Sequence, residues 1–65
     1  MDVKEYIENG VFDFISDNRE QYAIDYQLFD FGFDESGRPS CSIKFSDDKH
    51  IYTVTDWDGS ISIDY

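Results

Sequence analysis

Apolar residues recur along this chain with two different periods, and the change of period divides it. Over residues 2–18, Val3, Ile7, Val11, Phe14 and Ile15 fall on one arc at helical spacing, which predicts a single amphipathic helix. Asp2 stands where an N-cap is needed, and Glu5 follows three positions later, as a capping box requires. Gly10 weakens the middle of this helix by about 1 kcal/mol relative to Ala, and marks either a break or a close approach of the sheet. Asp17, Asn18 and Arg19 read as the exit.

The remainder alternates with period two. Tyr22, Ile24, Tyr26 and Leu28 alternate with Ala23, Asp25 and Gln27, and then the apolar phase flips to Phe29, Phe31 and Phe33. A flip in a period-two segment predicts a bulge or bend near Leu28–Phe29, or two short strands joined by a kink. Residues 34–39 form a turn or loop with Gly37 and Pro39 in turn roles. Cys41, Ile43 and Phe45 define the next strand, and Asp47, Asp48 and Lys49 the next turn. The last signal is the strongest. Asp58-Gly59 between two alternating runs predicts a two-residue type I′ hairpin, pairing Trp57 with Ser60, Thr55 with Ser62 and Val54 with Ile63. That register puts Tyr52, Val54, Ile61, Ile63 and Tyr65 on one face, and leaves Trp57 on the polar face with Thr53, Thr55, Ser60, Ser62 and Asp64.

The fold expected is α+β: one N-terminal helix packed on a four-stranded antiparallel β-meander, residues 1–65 making a single domain. The helix arc would meet Ile43, Phe45, Val54, Ile61 and Ile63. A chain of 65 residues buries roughly 60% of its unfolded surface, so a dense core is required. Six Phe, five Tyr and one Trp supply it, and this aromatic content argues against disorder.

Charge changes the picture from fold to function. Fifteen acidic residues face five basic ones, for a net charge of -10 spread over the whole chain. Self-repulsion of that size costs a small domain stability, which suggests that the charge serves a basic partner, although it also serves solubility. Direct nucleic-acid binding is not expected, because phosphate contacts need a Lys/Arg footprint. No apolar run approaches a membrane span, and the N-terminus lacks the basic start and apolar core of a signal peptide. With a lone Cys41 excluding an internal disulfide, the chain reads as cytoplasmic.

Candidate chemistry is sparse. His50 and Cys41 are each single, so neither a zinc site nor a catalytic triad can be assembled, and no enzyme activity or cofactor is expected. Cys41 reads as a buried structural thiol and His50 as a solvated residue. Asp47, Asp48, Asp56 and Asp58 could hold calcium weakly, but their spacing does not fit an EF-hand loop. Two surfaces suit a protein partner. On the helix, Tyr6, Asp13 and Asp17 fall with Asp2 and Glu20 on a face away from the apolar arc. On the sheet, Trp57 lies with Asp56 and Asp58, and with Asp30 and Asp34 nearby. Aromatic side chains supply contact area, and carboxylates receive arginine.

The order Gly37-Arg38-Pro39-Ser40-Cys41-Ser42-Ile43, Asp48-Lys49-His50-Ile51, Val54-Thr55-Asp56-Trp57-Asp58-Gly59 and Ile61-Ser62-Ile63-Asp64 resembles the TriTu-type immunity proteins of bacterial polymorphic toxin systems. The resemblance covers residues 36–65, and Asp56 departs from it by standing where an apolar or β-branched residue is usual. It implies an inhibitor that covers the active site or an adjacent exosite of a co-encoded toxin. The first expectation is therefore an acidic immunity protein, an antitoxin that neutralises a basic toxin, a nuclease foremost. The alternative is a phage-encoded nucleic-acid mimic acting on a CRISPR effector or restriction enzyme. Neither expectation fixes the oligomeric state.

Overall fold

The computed structural model describes residues 2–18 and 25–64. Helix α1 runs Val3–Asp17, and strands β1 (Tyr26–Phe33), β2 (Pro39–Phe45), β3 (Ile51–Trp57) and β4 (Ser60–Asp64) follow it. The strands form one antiparallel sheet in the order β1-β2-β3-β4, the meander expected from the sequence. Residues Arg19, Glu20, Tyr22, Ala23, Ile24 and Tyr65, assigned above to the helix exit, the helix face and the strands, lie outside the described residues.

Local chemistry sets the ends of α1. The Asp2 carboxylate accepts from the Glu5 backbone N–H at 2.9 Å and so satisfies one of the donors a helix start leaves over. At the other end the Asn18 side chain donates to the Phe14 carbonyl at 2.7 Å. Ile7 and Val11 are fully buried against Cys41, Ile43, Phe45 and Val54, with Ile15, Tyr26, Leu28, Phe31, Tyr52, Ile61 and Ile63 around them. Gly10 is the point of closest approach between helix and sheet. A Cβ there would meet Ile61 Cδ1 at 3.0 Å, which explains a residue that weakens the helix.

The bulge in β1 sits later than the sequence pattern suggests. Leu28 pairs with Ile43 and Phe29 with Ser42, and the register shifts only between Phe29 and Gly32. Asp30, with φ 55°, takes up the extra residue, and Asp tolerates the left-handed region better than most side chains. Phe29 therefore stays on the face opposite the helix, and Phe31 rather than Phe29 reaches the core. In the β3–β4 hairpin, Trp57 pairs with Ser60, Thr55 with Ser62 and Val54 with Ile63. Asp58 and Gly59 both have positive φ, 58° and 96°, as a type I′ turn requires.

The helix covers one face of the sheet. The other face carries Ser40, Ser42, Thr53, Thr55, Ser60 and Ser62, in register across three strands. Apart from the buried Thr55, these hydroxyls allow that face to meet water without a second layer. Among the described residues no helix is long and apolar enough to cross a membrane.

Candidate partner-binding site

Meander topology gathers two turns at one end of the sheet: the β1–β2 turn at residues 34–38 and the β3–β4 turn at Asp58-Gly59. Between them lies an open groove of about 500 Å³ lined by Ser36, Gly37, Arg38, Pro39, Asp56, Trp57 and Asp58. Five residues singled out from the sequence meet at this end: Tyr6, Asp34, Asp56, Trp57 and Asp58.

Asp56 does not share the face of Trp57, as the sequence grouping had it. Strand alternation turns Trp57 to the open face and Asp56 toward the helix, where it is only 6% exposed. The Tyr6 hydroxyl donates to Asp56 Oδ2 at 3.1 Å. Tyr6 is thereby tied to the sheet, while Asp13 and Asp17 lie further along α1 and are exposed. The hydrogen bond and charge of Asp56, aided by Asp58, hold the Tyr6 hydroxyl above its ordinary pKa of 10.0.

Trp57 remains 49% exposed on the open face. Its indole N–H donates to Ser62 Oγ at 2.9 Å, and Ser62 donates in turn to Asp64 at 3.3 Å. The Arg38 guanidinium lies 4.0 Å from the centroid of the Trp57 ring. That contact was not anticipated from the sequence, yet the β2–β3 register contains it. Ser40 pairs with Thr55, and two further steps along each strand set Arg38 opposite Trp57. Stacking of this kind contributes about 0.5–1 kcal/mol at an exposed site and fixes the ring plane.

Asp34 serves the turn more than the surface. Its carboxylate accepts from the backbone N–H groups of Ser36 and Arg38, both at 2.8 Å, and stands 4.0 Å from the Arg38 guanidinium. Asp30 is exposed at the β1 bulge. Asp48 is likewise structural: it accepts from the Tyr52 hydroxyl at 2.6 Å and from the His50 backbone at 2.9 Å. These bonds, Tyr52 first, lower its pKa from 3.8 to about 2. His50 is exposed with Nδ1 3.0 Å from Asp48, and Cys41 is a buried free thiol whose pKa burial pushes up to about 11. Among the described residues no three His, Cys, Asp or Glu side chains gather as metal ligands.

Further exposed apolar residues escaped the pattern: Phe33 and Ile51 on the sheet, 64% and 55% exposed, and Phe12 on the helix. Phe12 is 63% exposed on the outer side of α1. The signal was present in its spacing, because an aromatic at position 12 falls off the arc of Val3, Ile7, Val11, Phe14 and Ile15.

Compared with known proteins, the chain matches no family model, no curated protein and no solved structure.

Proposed function

We propose that this chain is an acidic inhibitor that binds and neutralises a basic protein, as an immunity protein does to a bacterial toxin, with a nuclease as the foremost target. The observation that carries the reading is the scarcity of internal partners for its charge. Among the described carboxylates only Asp34 lies within 4.0 Å of a described Lys or Arg side chain, and Asp48 lies beside the His50 ring, although the net charge is -10. Charge left uncompensated inside one molecule is available to another. At the hairpin end it flanks Trp57, a residue type that dominates binding energy when an interface closes over it. Arg38 on the Trp57 ring shows that the indole accepts a guanidinium, which is what a basic partner would bring. The resemblance of residues 36–65 to TriTu-type immunity proteins points the same way.

The physical requirements are modest. A stable interface takes about 800 Å² from each partner. That is roughly a sixth of this domain's 4649 Å² surface. Attraction between opposite charges raises association toward ~10⁹ M⁻¹s⁻¹ at low salt, a useful property for an inhibitor that must reach a toxin before the toxin reaches its substrate.

The test is capture from the source organism, followed by reconstitution. The tagged protein should retain a basic enzyme at low salt, release it at high salt, and abolish its activity at equimolar ratio. A captured CRISPR effector or restriction enzyme would replace the toxin reading with the nucleic-acid mimic. A captured protein whose activity is unchanged by saturating inhibitor would overturn both.

A further inference from the structure

We propose that the groove between the two turns is an arginine socket: Arg38 rests on the Trp57 ring as an internal stand-in, and an arginine of the basic partner takes its place there and reaches Asp58. This names the chemistry of the contact for the acidic-inhibitor reading, and rests on that reading.

Arg38 is held on the ring by little else. Its guanidinium lies 4.0 Å from the ring centroid, and its Nη1 stands 4.0 Å from Asp34 Oδ2, too far for a hydrogen bond. Its side chain makes no hydrogen bond among the described residues, although a guanidinium carries five donors. The turn does not depend on that side chain either. Asp34 accepts from the backbone N–H groups of Ser36 and Arg38. The Asp34 N–H donates to the Arg38 carbonyl at 2.9 Å, and the Gly37 N–H donates to the Asp34 carbonyl at 3.0 Å. The Arg38 side chain can therefore leave the ring while the turn stays closed.

The lining suits one more cation. It carries two carboxylates, Asp56 and Asp58, against Arg38. Asp56 is buried and accepts from Tyr6. Asp58 is exposed at the tip of the hairpin and makes no hydrogen bond or ion pair among the described residues. Its backbone is already fixed by the type I′ turn, so only its side chain has to be ordered on binding. Trp57 is fixed as well, because its indole N–H is bonded to Ser62 and its π face is left for a cation.

The chemistry favours arginine over lysine. A guanidinium is planar and weakly hydrated, stacks on an indole and presents paired N–H groups to a carboxylate, whereas an ammonium is a compact, strongly hydrated point charge. Arg38 obtains the stack alone. An arginine entering in front of Asp58 obtains the stack and a bidentate bond, and so displaces it. Once displaced, Arg38 remains beside Asp34 on its own turn.

The probes are two blocked pentapeptides, Gly-Gly-Arg-Gly-Gly and its Lys counterpart, titrated at low salt into the isotope-labelled full chain. The Arg peptide should bind the tighter, and should shift the Trp57 indole N–H and the amides of residues 36–39 and 56–58. Arg38→Lys keeps the charge but stacks less well. It should tighten the Arg peptide by about two- to fivefold, the contribution of an exposed cation–π contact. Asp58→Asn suits the turn and should weaken the Arg peptide, with both variants melting close to wild type. Equal binding of the two peptides would overturn the preference for arginine. Weaker binding by Arg38→Lys would make Arg38 part of the binding surface and overturn its role as a stand-in. Shifts confined elsewhere, or none with either peptide, would overturn the socket itself. Each of these results leaves the acidic-inhibitor reading intact. That reading fails separately, when the tagged protein captures no basic enzyme at low salt.

Discussion

The Tyr6 hydroxyl of α1 donates to the Asp56 carboxylate of β3 at 3.1 Å, joining the first turns of the helix to the far end of the sheet. Asp56 is the one buried carboxylate among the described residues, and this is its one side-chain donor there. Tyr6→Phe leaves that carboxylate without the donor, and should lower the melting temperature. Asp56→Asn keeps a hydrogen-bonding side chain and removes the charge, so the double variant should lose less than the sum of the singles. The linkage also has a direction in pH. A raised Tyr6 pKa means stabilisation that is complete below pH 10.0 and is lost as pH rises through the higher folded value. Alkaline melts of wild type and Tyr6→Phe should therefore converge above that point. Additive losses, or a constant gap in alkali, would remove the coupling.

Asp48 works in the opposite direction. Its pKa is lowered from 3.8 to about 2, chiefly by the Tyr52 hydroxyl. The stabilisation is present above 3.8 and disappears as pH falls through about 2. Asp48→Asn should be less stable than wild type at neutral pH, and the gap should shrink steadily through this acid range. A gap independent of pH would show that the turn depends on the shape of the side chain and not on its charge.

Gly10 and Ile61 should couple. Gly10→Ala gains about 1 kcal/mol of helix propensity but pushes a methyl group to 3.0 Å from Ile61 Cδ1. The contact is with the end of a side chain, which can give way, so the single change should alter stability by less than about 1 kcal/mol in either direction. Ile61→Val removes the offending methyl. In that background Gly10→Ala should be more favourable by at least about 0.5 kcal/mol, measured by urea unfolding. Equal effects in both backgrounds would mean that helix and sheet are not in contact at this point.

Trp57→Ala separates binding from folding. Trp57 lies on the open face, held by Arg38 and Ser62 rather than by the core. Its loss should leave the melting temperature close to that of wild type and weaken partner binding by more than about 2 kcal/mol. Unchanged binding with a clearly lower melting temperature would make Trp57 a structural residue.

Much of this fold is written in short-range signals. Asp2 with Glu5 marks the helix start, and Asp58-Gly59 marks a hairpin whose register alternation then fixes. The β1 bulge was visible as a phase flip, but its position depended on which residue would accept a positive φ, and Asp30, the residue just past the flip, accepted it. The candidate site was less legible. Asp56 and Trp57 are neighbours in sequence and therefore opposites in a strand, so grouping them by sequence mixed two faces. Tyr6 is exposed, as its helical projection implies, but projection cannot see the acceptor fifty residues away. Arg38 reached Trp57 through a strand register, and Phe12 stood out only by failing to join the apolar arc.

Recognition of a basic partner by uncompensated carboxylates is what we propose for this chain. The most direct test is the association rate of the reconstituted pair as ionic strength rises from about 50 mM to about 500 mM, where the screening length contracts from roughly 14 Å to roughly 4 Å. The association rate constant should fall by about tenfold or more while dissociation changes much less. An association rate indifferent to salt would contradict it, and would leave the charge of -10 as a property of solubility alone.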